Sequence, residues 1–229
     1  MMRFYNGGMD LTAVAFPASW IVATWVLAVP LAWWALRSAH WARFAESEPF
    51  HLWLGTIFCL VVLWNIQATV GEGFTFHLLG VAAFTLLVGV PLALVGTALA
   101  VTVNAGIRGG YLLNVALVWL TMATVPIAIT SLVRQASERW LPPNFFVYVF
   151  VVTFFGAALS LGAAGLAGAI ALTGGAGRAA GLVFGEYAPY LIYLAIGEAT
   201  LTGMAMTLAI VYRPQWVASF DDAKYLKGR

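Results

Sequence analysis

The chain has 229 residues, of which 62% are hydrophobic and only 9% are charged. Soluble domains carry roughly 25% charged residues, so this composition excludes a soluble globular protein and indicates an all-α integral membrane protein in contact with membrane lipid. The net charge of +2, with scattered basic residues, argues against a nucleic-acid partner. Nearly every residue falls in an apolar segment or a short connection. We therefore predict one membrane domain over 1–229, with an N-terminal segment 1–12, a helical bundle 13–212 and a tail 213–229.

The first two predicted spans cover about Ala13 to Leu36 and Leu52 to Thr69. No small-residue cleavage site follows the first apolar run, so we interpret it as a retained span rather than a signal peptide. Tryptophans in this span are typical of membrane interfaces. Cys59, the single cysteine, lies within the second span. It can form neither an internal disulfide nor a metal cluster, and we expect it only to pack.

A long hydrophobic segment, Phe76 to Val103, is interrupted at its centre by Gly89-Val90-Pro91. As one helix it would measure roughly 39 Å, too long for a hydrocarbon core of ~30 Å without strong tilt. Split at the interruption, it gives two segments that are each too short to span alone. Such interrupted segments are typical of discontinuous helices beside a transport site. We therefore predict a broken helix pair around Gly89-Pro91.

The distribution of Lys and Arg distinguishes seven crossings from six. Seven crossings place eight of the 11 basic residues on one side of the membrane, and six crossings place seven there. Basic residues concentrate on the cytoplasmic side. The sequence thus favours about seven transmembrane helices in a bacterial-type inner (plasma) membrane, with the N-terminus outside and the C-terminus cytoplasmic.

The last three predicted spans cover about Tyr111 to Leu132, Phe145 to Leu172 and Tyr187 to Tyr212. Small residues at four-residue spacing, from Ser160 to Gly168, lie in the second of these three spans. Small residues at that spacing let helices approach closely. We interpret them as packing within the bundle, with a dimer face as the alternative.

One polar stretch, Gly71 to Gly80, separates the second span from the broken helix. It holds Glu72, Thr75 and His77, and its glycines allow a tight turn. Polar groups on irregular backbone at membrane depth usually line a cavity, because lipid cannot satisfy them. A neutral imidazole suits nickel, cobalt, copper or zinc. We predict that His77 binds a metal ion or a substrate, with a packing or hydrogen-bonding role as the alternative. Asp10 falls on the same side in the seven-crossing arrangement, as either a partner or a solvated acid.

Glu198 lies in the middle of the last span. A carboxylate at a helix centre costs roughly 2.5–3.5 kcal/mol on insertion scales, and such residues mark functional sites. The alternative is a structural carboxyl held by neighbouring polar side chains: Asn114, Thr200 or Thr202. Met204 and Met206 lie on the same span, where we expect core packing rather than copper binding.

The catalytic motifs that would indicate an enzyme are absent from the sequence. It contains no P-loop, so the chain binds no nucleotide through one, and it has no H-E-x-x-H zinc motif. It also contains no Ser/His/Asp arrangement in a sequence context that would indicate a catalytic triad. We therefore predict that the chain is not an enzyme.

Several motifs resemble the substrate-binding membrane component of energy-coupling-factor transporters for cobalt and nickel. Met9 to Pro17 has the spacing between that family's initial Met-His-Ile and the proline that follows it. Gly73 to Gly80 resembles its Gly-Ser-Ser-Ser-His-x-x-Gly loop. Gly89-Val90-Pro91 resembles a Gly-Pro of the family, and the positions of Asn114 and Glu198 are similar to an Asn and a Glu in its later spans.

The resemblance implies a metal-binding permease that works with a separate ATPase and a coupling transmembrane subunit. The family holds its metal by the N-terminal amine, by the histidine after the first Met and by the loop histidine. Here Asp10 takes the position of the first histidine and His77 that of the second. The implied metal candidates are His77, Asp10, Glu72 and Asn114, and the ion is cobalt, nickel or copper.

Two other functions stay open at this point. One is a non-transporting accessory or structural subunit of a larger membrane complex that has lost the metal site. The tail, 213–229, has an apolar and acidic mix that would suit docking to a partner protein. The other is a carrier for a different small solute or for protons, which would use Glu198.

Overall fold

The protein, known here from a computed structural model, is described over residues 11–12, 14–70 and 74–225. Asp10 and Glu72, two of the predicted metal ligands, lie outside these ranges. In chain order the helices and strands are α1 (Ala18–Ser38), α2 (Ser47–Asn65), β1 (Ala68–Val70), β2 (Phe74–Phe76), α3 (Val81–Val88), α4 (Val90–Arg108), α5 (Val115–Trp119), α6 (Val125–Trp140), α7 (Phe145–Val147), α8 (Gly156–Gly174), α9 (Ala180–Leu182), α10 (Ala188–Tyr212) and α11 (Asp222–Tyr225). This architecture confirms the all-α membrane class.

Six helices within the described ranges are long and apolar enough to cross a membrane, which confirms a multi-pass protein. They are α1, α2, α4, the continuous helix Leu112–Trp140, the continuous helix Phe145–Gly174, and Pro189–Tyr212 of α10. π-helical turns join α5 to α6 at Leu120–Thr124 and α7 to α8 at Tyr148–Phe155. The seventh predicted segment is α3, whose 8 residues extend over only about 12 Å. The orientation of the termini stays a prediction.

The predicted helix break is confirmed at Gly89. Its φ of 86° and ψ of 162° lie in a region that only glycine adopts readily, so the chain ends α3 and begins α4 within one residue. The two helices fold back on each other. The Phe84 ring packs where a Cβ on Gly96 would lie, 2.6 Å from the Phe84 Cζ. This second glycine therefore allows the close contact that the reversal requires.

Within the polar stretch, Phe74–Phe76 form the second strand of a β-hairpin, which the sequence did not predict. Ala68 pairs with Phe76 and Val70 with Phe74 in antiparallel register. The expectation that the second span runs to Thr69 is wrong, because α2 ends at Asn65. The Asn65 side-chain amide donates to the Val61 carbonyl O at 2.7 Å, and β-branched residues then enter the extended strand.

The tail packs against the C-terminal end of α3. The Ala218 and Ser219 amides donate to the carbonyl O atoms of Leu87 and Leu86 at 3.0 and 3.2 Å. The Ser219 hydroxyl also donates to Leu86 O at 2.7 Å and lies 2.6 Å from the Tyr148 hydroxyl. The last carbonyls of a helix lack partners within the helix. The tail therefore supplies hydrogen-bond donors to the end of the short helix that lies away from His77.

Small residues on α8 pack inside the bundle, which confirms that interpretation of their spacing. Ser160 and Ala164 are each 1% exposed, and Gly168 is also buried. Cys59, by contrast, lies exposed on the surface of α2 rather than packed within the protein.

Candidate metal site

His77 lies in the connection between β2 and α3, and its side chain is half-buried. Its Nδ1 lies 3.1 Å from the Leu78 carbonyl O. A hydrogen bond to this carbonyl O would place the proton on Nδ1 and leave Nε2 as the ligand atom. Metal-ligating histidines commonly donate their other N–H to a carbonyl in this way. The Nδ1 contact is therefore compatible with metal binding through Nε2.

A cavity of about 70 Å³ lies beside His77, where α2, α4 and α8 end and α10 begins. Its polar wall consists of Thr12, Gln67, Thr75, His77, Asn104 and Arg108. A cavity needs about 10–15 Å³ of such space to hold one water molecule, and pockets for organic ligands typically measure about 300–1,000 Å³. The space thus suits an ion with a few small ligands rather than a drug-sized organic solute.

Glu198 holds the backbone that follows His77. Its Oε2 accepts from the Leu79 amide at 2.8 Å, and its Oε1 accepts from the Gly80 amide at 2.6 Å. The Trp64 indole N–H donates to the Leu79 carbonyl O at 2.8 Å. Glu198 itself is 2% exposed. The segment between His77 and α3 is thus fixed by an acid from α10 and an indole from α2.

The partners of Glu198 differ from those expected. Neither Asn114 nor Thr200 is hydrogen-bonded to the carboxylate. The Thr200 hydroxyl instead donates to the Ile196 carbonyl O of its own helix at 2.8 Å. Glu198 on α10 therefore accepts hydrogen bonds from a loop that lies 118 to 119 residues earlier in the chain. This contact requires tertiary packing, and no spacing in the sequence reveals it.

Asn114 holds the segment that precedes α1. Its Nδ2 donates to the carbonyl O atoms of Leu11 and Val14 at 2.9 and 2.8 Å, and the residue is 2% exposed. The Tyr111 amide donates to the Thr12 carbonyl O at 3.0 Å. Leu11 and Thr12 themselves line the cavity. Asn114 therefore brings the chain just after Asp10 to the wall that contains His77.

The remaining acid candidates lie at the edges of the described structure. Glu72 belongs to the three residues that connect β1 to β2, and Asp10 immediately precedes the cavity residue Leu11. Among residues 11–12, 14–70 and 74–225, no group of three or more His, Cys, Asp or Glu residues could hold a metal ion. A complete set of such ligands around His77 therefore needs residues outside those ranges.

Sequence reasoning missed two cavity residues that bear on the chemistry. Arg108, at the end of α4, lines the cavity, and its Nη2 donates to the Trp64 carbonyl O. Met122, in the π-helical turn after α5, brings a thioether to the same wall. Asn104 and Arg108 are polar residues one turn apart in an apolar helix, and this pattern could have indicated a polar cavity. A methionine in an apolar helix gives no such indication.

Comparison with known families identifies the chain's relatives. The family described as CbiM, the cobalt uptake substrate-specific transmembrane region, matches residues 11–216. The chain belongs to this family. The match confirms the resemblance drawn from the sequence, and it includes His77, Asn114 and Glu198. No curated protein and no solved structure gives a significant match.

The CbiM family is a family of transporter components, so the chain is a cobalt-type uptake component in a membrane. The transporter role agrees with the interpretation that the chain is not an enzyme. The matched region stops at Trp216, so the contacts that Ala218 and Ser219 make with α3 lie beyond it.

Proposed function

We propose that this CbiM-family chain captures a cobalt or nickel ion for uptake and works with a separate ATPase and a coupling transmembrane subunit. The observation that carries the proposal is the geometry of His77. Its imidazole borders a small cavity, and its Nδ1 lies 3.1 Å from Leu78 O, a contact of the kind that metal-ligating histidines make with their other ring nitrogen. Glu198 and Trp64 hold the adjoining backbone.

The other ligands in this proposal are Asp10, Glu72 and Asn114. Asn114 does not itself line the cavity of about 70 Å³, and its Nδ2 is engaged with the N-terminal segment, so only its Oδ1 would be available to an ion. The two acids would supply anionic oxygens. They would also balance the Arg108 guanidinium, whose charge in the cavity wall opposes a cation. The chain forms a single membrane domain in this proposal. In the seven-crossing arrangement the end that contains His77 faces the outside, and the tail faces the cytoplasm.

A specific observation favours a second candidate, the accessory subunit that has lost its metal site. Arg108 lines the cavity, and the described part of the chain lacks a cluster of three metal-binding side chains. This candidate predicts a metal-free protein that co-purifies with another membrane complex. The capture proposal predicts a protein that binds cobalt on its own.

Metal binding by the purified protein separates the two candidates. Titration with Co²⁺ or Ni²⁺ is expected to show near-stoichiometric binding that His77→Ala weakens by about tenfold or more. His40→Ala and His51→Ala are matched controls, because both side chains are exposed and neither lines the cavity. A wild-type protein that stays metal-free under saturating cobalt would refute the capture proposal.

A further inference from the structure

A methionine and a histidine share the walls of the candidate site. Met122 and His77 both line the cavity of about 70 Å³. Both also line an adjoining cavity of about 40 Å³, between the hairpin, α8 and α10. The side chains that carry the thioether and the imidazole therefore border the same two cavities.

The helix geometry around Met122 supports this placement. The residue lies in the π-helical turn Leu120–Thr124, and such turns are frequent at functional sites. A Cβ added to Gly168 of α8 would lie 2.8 Å from the Met122 Cε. The missing Cβ leaves room for the end of the thioether, and Gly168 itself lines the larger cavity.

The other two described methionines do not share this position. Met204 is 60% exposed on α10, and Met206 is buried in the cluster with Tyr148 and the tail. Neither lines a cavity with His77. Met122 is thus the one methionine of the described residues that lies at the site.

We propose that Met122 is a metal ligand and that, with His77, it extends the substrate class of this site to soft monovalent ions, Cu⁺ above all. Thioethers prefer soft ions, whereas imidazole accepts copper as well as nickel and zinc. The inference rests on the proposed metal capture by His77. It goes beyond that proposal by assigning a sulfur ligand that distinguishes Cu⁺ from Co²⁺.

Silver provides a redox-inert probe for the soft ion. All variants carry Cys59→Ser, because the exposed thiol of Cys59 would bind silver independently. Met122→Leu conserves the volume of the side chain and removes the sulfur. We expect the affinity for Ag⁺ to fall by about tenfold or more and that for Co²⁺ to change by less than about twofold. Met204→Leu and Met206→Leu should leave both affinities unchanged.

X-ray absorption at the silver edge tests the ligand directly. The Cys59→Ser protein is expected to show a sulfur neighbour of the bound ion, and Met122→Leu is expected to lose it. A bound ion with only nitrogen and oxygen neighbours would overturn the inference without any variant. Unchanged silver affinity in Met122→Leu, with His77→Ala still abolishing binding, would overturn it and leave metal capture intact. A protein that binds neither Co²⁺ nor Ag⁺ would overturn both.

Discussion

Replacement of Glu198 by Gln tests whether this buried acid positions the metal loop. The carboxylate accepts from the Leu79 amide at 2.8 Å and from the Gly80 amide at 2.6 Å. Gln retains one accepting oxygen and turns an NH₂ group toward the other amide. Hydrogen bonds to a charged group contribute about 1.5–3 kcal/mol each, and a neutral one contributes about 1 kcal/mol. The expected net loss is about 2–5 kcal/mol.

This loss should appear first as local opening of the loop. A loss of 2 kcal/mol makes opening about 30-fold more frequent, so the Leu79 and Gly80 amides should exchange hydrogen that much faster. The affinity for Co²⁺ should fall by about 10–100-fold, as for other changes to groups that orient a ligand. Hydrogen exchange by mass spectrometry and metal titration measure the two effects on the same preparation.

The matched control is Thr200→Val on the same helix. The Thr200 hydroxyl donates within its own helix, to Ile196 O, and the residue is exposed. This variant should exchange and bind like the wild type. Unchanged exchange at Leu79 and Gly80 in Glu198→Gln would show that the acid does not hold the loop. Faster exchange with unchanged metal affinity would show that the hydrogen bonds from this loop to Glu198 do not contribute to metal binding.

Two pairs of glycine substitutions test the packing by thermal unfolding in detergent. Gly89→Ala should destabilise by about 1–3 kcal/mol because of its φ of 86°, whereas Gly106→Ala, in a helix with open space around it, should be neutral or stabilising. Equal effects at both positions would contradict the helix-break account. Gly165→Ala should cost about 1–3 kcal/mol, since its Cβ would lie 2.4 Å from Leu191, and Gly162→Ala, with open space, should cost nothing. A tolerated Gly165→Ala would mean that the flexible Leu191 side chain moves aside and does not fix the approach of α10 to α8.

The membrane class and the helix break could be predicted from the sequence, because both depend on residues that are close to one another along the chain. Low charge and long apolar runs predict spans, and Gly89 followed closely by Pro91 predicts an interruption. The length of α3 was not readable. Its 8 residues begin only at Val81, because the hairpin and the Glu198 carboxylate hold the preceding backbone outside the helix, and Glu198 lies 118 to 119 residues later in the chain.

The candidate site was predictable in part, for the same reason. His77 stood out as a polar residue in a Gly-rich turn, and Glu198 as an acid in an apolar span. Their relation was hidden, because Glu198 contacts the backbone after His77 rather than the imidazole. Met122 was also hidden, because its position depends on a π-helical turn and on the gap left by Gly168.

The most direct test of metal capture is a structure of the protein with cobalt bound, with anomalous scattering to locate the ion. The account predicts density in the cavity within about 2.0–2.2 Å of the His77 Nε2. It also predicts that carboxylate oxygens of Asp10 or Glu72 complete the coordination. Cobalt bound elsewhere, with no ion beside His77, would contradict the account.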